Sequence, residues 1–456
     1  MFKNLKAKLK RKIRNAVGYA ELAEHSRKME ERLNAIEDKL NRLSPESIYC
    51  EYEQRHTLLN RIGELESYAQ QRAHGSLRHD IGVLISGASG HPNYGDDRIA
   101  LEVTKFHLAS GKNVWINSFN VNTSSDGVNL TSAAVGHINY LWSNLPKERL
   151  ASFGSAIKEG LRIFDTDFEG SSKLFVDLLA GTKTFHLHGG GYLNSIWPHG
   201  AFQIGAAIAM KRKFGTRLIA TGLGLMPLNS EDRASLAEAV SHFDAFECRD
   251  EDSVKALSAH SASVDSGVDD IFISPQRGLL SDGAADLHLC LQLAQWNIRA
   301  RAECMAKIDR FLAVYEKDIG NIVVWEFCPQ GDLELLEYPI FSKMRERVVV
   351  RKYGEIMREG PLARVGDLAI VSRFHAHLLF CRQGVRGLYT AQGGPSFTSE
   401  YYDTKHGSLL KIGSNWRSFD LLEEINMSSF GPVPDWKAFN ESAERRKKAT
   451  YASFFQ

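Results

Sequence analysis

Neither sign of charge dominates this chain: 56 lysines and arginines stand against 55 aspartates and glutamates. Broad nucleic-acid binding needs a basic face to neutralise phosphates, so no nucleic-acid partner is expected. Long apolar runs are also missing, and none approaches the roughly 20 residues of a membrane-crossing helix. The first residues are basic but no apolar stretch follows them, which speaks against a secretory leader. Six cysteines (Cys50, Cys248, Cys290, Cys304, Cys328, Cys381) lie scattered without a CxxC pair. That usage fits a reducing compartment better than a disulfide framework or a zinc cluster. The expected location is therefore the cytoplasm. There is no internal repeat and no low-complexity segment.

What is present divides by texture. A chain of 456 residues is too long for one compact core. Residues 1–74 are charged, poor in glycine and helical in period. Met29, Leu33, Ile36, Leu40 and Leu43 follow the 4-3-4-3 spacing of a coiled-coil seam, and Leu58, Ile62, Leu65 and Ala69 repeat its first three steps. An isolated helix of this length is marginal in water, so the seam needs a partner. A second protomer and the rest of the chain are the two candidates, and the richly charged flanking positions favour a homo-oligomer. Met1 to Arg14 is basic on one side of a helix and apolar on the other, through Phe2, Leu5, Leu9 and Ile13. It reads either as a peripheral anchor at the inner face of the membrane or as a solvated terminus.

From residue 79 onward strands alternate with helices of about ten residues, the mark of a parallel sheet built from βαβ units. The first set of strand candidates is Ile81–Ser86, Asn113–Ser118, Thr184–Leu187, Arg217–Thr221 and Ala245–Cys248. A second alternation begins near Ser266, with strands at Leu287–Leu291, Ile322–Phe327, Val348–Val350, Leu368–Val371 and Val385–Tyr389. Helices are expected at Arg98–Ser110, Phe202–Lys213, Ser230–His242, Ile298–Ile319, Leu333–Arg347 and Phe374–Arg382. The fold class is α/β: two Rossmann-like, doubly wound domains at 79–265 and 266–431, an N-terminal helical extension and a helical tail at 432–456.

Polar motifs collect where strands should end, the edge at which an open α/β sheet binds ligands. Gly87 to Asp97 carries Asn93, Gly95 and Asp96 into a helix start, a place that suits a phosphate or carboxylate. Its glycines are not spaced G-x-G-x-x-G, so no nicotinamide cofactor is indicated. The plainer reading is a turn with Asp96 or Asp97 as helix cap. His188 precedes Gly189, Gly190 and Gly191, and the run is expected to be a substrate-binding loop with one histidine lining the cleft; His186 and His188 share a strand face, but without a third ligand nearby no metal is expected. Gly222 and Gly224 bracket Leu223 at another strand end. Arg249 could clamp an anion or pair with Asp250 or Asp252. Arg373 offers a planar fork for carboxylate or phosphate, and His375 can move a proton in either direction near neutral pH. Against this stands a half-buried histidine at a helix start. Tyr402 and Lys405 add a phenol and an ammonium.

In their order, Asn93-Tyr94-Gly95-Asp96, Gly189-Gly190-Gly191, Gly222-Leu223-Gly224, Arg249-Asp250, Arg373-Phe374-His375 and Tyr402-x-x-Lys405 resemble the polysaccharide pyruvyl transferase family. The resemblance spans about residues 81 to 413. It implies a GT-B-like pair of domains with the active site in the cleft between them. It also implies transfer of a pyruvyl group from phosphoenolpyruvate to two hydroxyls of a saccharide, with no cofactor. His375 would be the general acid/base and Arg373 would hold the donor. The competing readings are a glycosyltransferase with a nucleotide-sugar donor on the same plan, and a scaffold without activity.

Overall fold

The computed structural model describes residues 81–120, 135–145, 150–164, 172–260, 263–280, 283–329, 331–393 and 399–455. The expected coiled coil of residues 1–74 and the basic Met1–Arg14 stretch lie outside them.

Two wholly parallel sheets form the molecule. The first joins β1 (Ile81–Ser86), β2 (Val114–Asn117), β3 (Val135–Ile138), β4 (Thr182–Leu187), β5 (Arg217–Leu223), β6 (Ala245–Cys248) and β7 (Asp265–Ser266) in the order 3-2-1-4-5-6-7. The second joins β8 (Ala285–Cys290), β9 (Ile319–Trp325), β10 (Val348–Arg351), β11 (Leu368–Val371), β12 (Arg386–Tyr389) and β13 (Arg417–Ser418) in the order 10-9-8-11-12-13. Counted from its own first strand, the second sheet runs 3-2-1-4-5-6, the Rossmann order, and the first runs the same with a seventh strand added at its edge. The strands read as near-continuous apolar runs because helices cover both faces. In β1, Val83, Leu84 and Ile85 are wholly buried. The order reverses between β1 and β4 in one sheet and between β8 and β11 in the other, so each domain has one switch point where loops diverge and leave a crevice.

The expected strands form, and β3, β7 and β13 join them at the sheet edges. Helices differ more. The expected Leu333–Arg347 helix breaks into a 3-10 turn at Glu334–Glu337 and a short helix at Pro339–Lys343. Pro339 has no N–H to continue the ladder, so it can only begin a new turn. The Ile298 helix ends at Tyr315, and Ile319 opens β9. The first helix starts at Tyr94 rather than Arg98, because Asn93 caps it by accepting from Gly95 N at 3.3 Å.

The tail helix Trp436–Phe455 packs back across both domains. From the second domain, Arg382 reaches Asn440 Oδ1 at 2.8 Å and Glu444 at 3.1 Å. On the side of the first domain Lys447 of the tail helix, wholly buried, bonds Glu247 and lies 2.9 Å from Oδ1 of Asp270, just past β7. Burial alone would depress the Lys447 ammonium, but the two carboxylates outweigh it and hold the group charged. Tyr451 and Phe455 close the seam against Phe106, with ring centroids 4.8 and 5.8 Å away.

Candidate active site

The loops from both switch points face one another across a cleft of about 510 Å³, a size suited to a small ligand. From the first domain come the β1 loop (Asn93, Asp96), the β4 loop (Gly191) and Arg249 after β6. From the second come Gln292 after β8, Arg373 and His375 after β11, and Tyr402 and Lys405 on the helix Ser399–Lys411.

The β1 loop is pinned by Asp97. One of its oxygens accepts from Gly90 N at 2.8 Å; the other accepts from Asn93 N at 3.2 Å and from the Tyr353 hydroxyl of the second domain at 2.5 Å. Burial pushes the Asp97 carboxyl up to about 7 against these three donors. Asn93 also donates to Asp96 Oδ2 at 2.8 Å, which holds that carboxylate at the cleft wall.

The glycine loops lie one layer deeper. Gly189 N donates to Asp270 at 2.7 Å, Gly222 N to Glu247 at 3.0 Å, and Gly224 N to Gly190 O at 2.9 Å. The Lys447 pair thus anchors the floor of the cleft. Of this set only Gly191 reaches the wall. A Cβ there would lie 2.9 Å from Lys405 Nζ, so the bare backbone makes room for the ammonium. His188, expected to bind substrate in the cleft, is instead wholly buried beneath the loop and bonds Gly189 O through Nδ1 at 2.8 Å. Gly189, Gly190, Gly222 and Gly224 likewise line no part of the cleft. Asp250 does not line it and caps the helix Glu251–Ser258 by accepting from Ser253 N at 2.8 Å.

The cations are oriented by two carboxylates that no motif announced. Arg249 Nη1 meets Asp269 Oδ2 at 2.8 Å, and both side chains are almost fully buried. It does not pair with Asp250 or Asp252. The Arg249 guanidinium also lies over the Phe374 ring, 4.1 Å from its centroid. His375 Nε2 stands 3.7 Å from the same Asp269 oxygen. Burial would raise the Asp269 carboxyl, but His375 and Arg249 outweigh it and hold the group well below the usual carboxylate range. Arg373 directs Nε and Nη2 to Asp332 Oδ1 at 3.2 and 2.5 Å, and makes no bond through Nη1 among the described residues. Lys405 bonds the Tyr401 hydroxyl. Burial, with Arg249 adding to it, pulls the Lys405 ammonium down to about 7, so it can exchange a proton near neutrality.

The two active-site helices of the second domain are joined behind the cleft. Ser372 O can only accept, so His406, 3.2 Å away, carries its proton on Nε2. Its Nδ1 then accepts from His377 Nδ1 at 2.9 Å, and His377 Nε2 accepts from the Ser414 hydroxyl at 2.7 Å. Both rings are neutral in this chain. Burial pushes His377 well down and His406 to about 4. The link places His375 and Lys405, each one or two residues from a linked histidine, in one rigid block.

Asp269, Asp332, Gln295, Tyr401 and the aromatic wall of Phe119, Trp142 and Trp197 belong to the site without any motif in the sequence to mark them. Among the described residues no group of three or more His, Cys, Asp or Glu side chains could hold a metal ion. No helix among them is long and apolar enough to cross a membrane.

No family model matches the chain, and no curated protein does. Solved structures do. The UDP-GlcNAc 2-epimerase from Methanocaldococcus jannaschii covers 82% of this chain and 99% of its own, with a TM-score of 0.50 and 10% identity. A glycosyltransferase from Rickettsia africae covers 82% and 97%, with a TM-score of 0.41 and 10% identity. The strand orders and the likeness to the epimerase establish the architecture: two Rossmann-like domains in a GT-B-like pair.

Proposed function

We propose that this chain is a transferase that moves a group from a small anionic donor to a saccharide hydroxyl, and that the donor is phosphoenolpyruvate. The observation that carries the reading is the convergence of Arg249, Arg373, Lys405 and His375 from both domains on one cleft. Such a set suits a carboxylate and a phosphate close together. His375 would give a proton to the enol carbon of phosphoenolpyruvate, making C2 electrophilic. One sugar hydroxyl adds to C2; the C2–phosphate bond then breaks, phosphate leaves, and a second hydroxyl closes the ketal. Two hydroxyl protons are released: one balances the proton taken up by carbon and the other departs with phosphate. Lys405, with its ammonium near 7, is placed to relay them.

A second reading, a nucleotide-sugar glycosyltransferase, is favoured by the overall likeness to a UDP-GlcNAc 2-epimerase. The comparisons speak for it more than for pyruvyl transfer; the side chains speak the other way. Ribose hydroxyls are commonly held by Asp or Glu, and no carboxylate among the described residues of the second domain lines the cleft. Asp332 is wholly buried against Arg373.

Thermal unfolding of the full chain with phosphoenolpyruvate, and separately with UDP, decides between them. Stabilisation by phosphoenolpyruvate that disappears in Arg373→Ala supports pyruvyl transfer. Stabilisation by UDP alone overturns it in favour of the glycosyltransferase.

A further inference from the structure

The cleft has two chemically different parts. The cations gather around Arg249, Arg373 and Lys405, while the wall near the ends of β2 and β3 is aromatic. Phe119, two residues beyond β2, stacks on Trp142 with ring centroids 3.6 Å apart and planes 22° from parallel. His91 meets Phe119 edge-on at 6.3 Å. Trp197, also from the first domain, meets Tyr401 of the second edge-on at 5.7 Å, and Lys405 Nζ stands 5.9 Å from the Trp197 ring. All of these residues line the same cleft as His375.

The aromatic wall is fixed in advance. Phe119 N donates to Ser89 O at 2.9 Å, and Asn139 Nδ2 donates to Ser118 O and Phe119 O at 2.7 and 2.5 Å. Asn139 opens the short helix Tyr140–Ser143 that carries Trp142, so one amide ties both stacked rings to the strand ends. Binding to a wall held this way costs little further ordering.

An anion gains nothing from aromatic faces, whose quadrupole is negative. A pyranose ring is different: one face presents C–H bonds, which carry slight positive charge and are apolar, while its hydroxyls radiate from the edge. C–H faces lie well on aromatic rings, and edge hydroxyls need partners such as the Asp96 carboxylate and the His91 imidazole, both at the cleft surface.

We propose that Phe119, backed by the buried Trp142, and Trp197 form a carbohydrate subsite that holds a neutral pyranose ring by its C–H face, with one hydroxyl edge turned toward His375. The subsite rests on the acceptor being a saccharide, which both donor readings share, and is independent of which donor binds. A nucleobase would also stack, but it would bring its phosphates and ribose with it; the test separates the two.

The full chain is probed on an array of neutral and acidic glycans, alongside thermal shifts with phosphoenolpyruvate and UDP, for wild type, Phe119→Ala, Trp197→Ala and Arg373→Ala. Neutral glycans are expected to bind the wild type and to lose at least tenfold in affinity in both aromatic variants. Arg373→Ala should keep the glycans and lose the phosphorylated ligand. Glycan binding unchanged in both aromatic variants overturns the subsite, as does the absence of any bound glycan. Loss of UDP stabilisation in the aromatic variants would assign the wall to a nucleobase instead. Failure of both phosphorylated ligands with glycan binding intact would sink the donor reading and leave the subsite standing.

Discussion

A Cβ on Gly95 would lie 1.7 Å from Nδ1 of His375, so the imidazole from the second domain occupies space that a side chain at position 95 would fill. The two residues come from different domains and meet only in the assembled cleft. Gly95→Ala should therefore leave both domains folded and displace His375 by an ångström or more. Misplacement of that size costs on the order of 100-fold in turnover, and kcat for the identified reaction, read beside unchanged circular dichroism, checks it.

Gly407 makes the opposite case on the neighbouring helix. Nothing lies within 4 Å of where its Cβ would be. Gly407→Ala should raise stability by about 0.5–1 kcal/mol, the usual gain within a helix. Chemical denaturation of the two proteins measures it, and a destabilised variant would mean that the Ser399–Lys411 helix is packed otherwise.

Removing the Lys447 ammonium should be costly. Lys447→Met leaves Glu247 and Asp270 buried without their cation, a loss of about 3–5 kcal/mol when one partner of a buried ion pair is deleted. The midpoint of urea unfolding reports it. Because Gly189 and Gly222 hang from the same carboxylates, ligand stabilisation should weaken in parallel.

His406 gives a pH dependence with a definite sign. Its folded pKa is lowered to about 4 by burial, below the ordinary value near 6.5. The unfolded chain takes up a proton as pH falls below about 6.5 while the native ring stays neutral. Its contribution is thus intact above about pH 6.5 and is lost as pH falls toward 4, by up to about 3 kcal/mol at 1.4 kcal/mol per unit. His406→Gln, which can still donate to Ser372 O, should show a shallower loss across that window. Equal slopes for the two proteins would contradict the neutral His377–His406 link.

Sheet strands were the most legible part of the chain, because a strand covered on both faces is an unbroken apolar run, as Ile81–Ser86 and Leu368–Val371 are. The short β3 was hidden, since Gly136 and His137 interrupt its apolar pattern. Glycine clusters marked the right loops but not the right layer. Gly191 touches the cleft, whereas Gly189 and Gly222 serve the floor, and only tertiary packing distinguishes them. Asp269 and Asp332 were illegible for a related reason. Their arginines lie 20 and 41 residues away, so no local spacing links donor to acceptor. The aromatic wall draws Phe119, Trp142 and Trp197 from three separate connections, each an ordinary core candidate when read alone.

The returning helix Trp436–Phe455 also sets an order of events during synthesis. The Glu247 carboxylate, the Asp270 carboxylate just past β7 and the seam around Phe106 lie in or against the first domain, yet their covering side chains, Lys447, Tyr451 and Phe455, emerge from the ribosome only after the whole second domain. Until then the nascent first domain carries an uncovered apolar groove with two uncompensated negative charges at its floor. It has reason to recruit a chaperone, and a cut placed between the two sheets would not yield two self-sufficient halves.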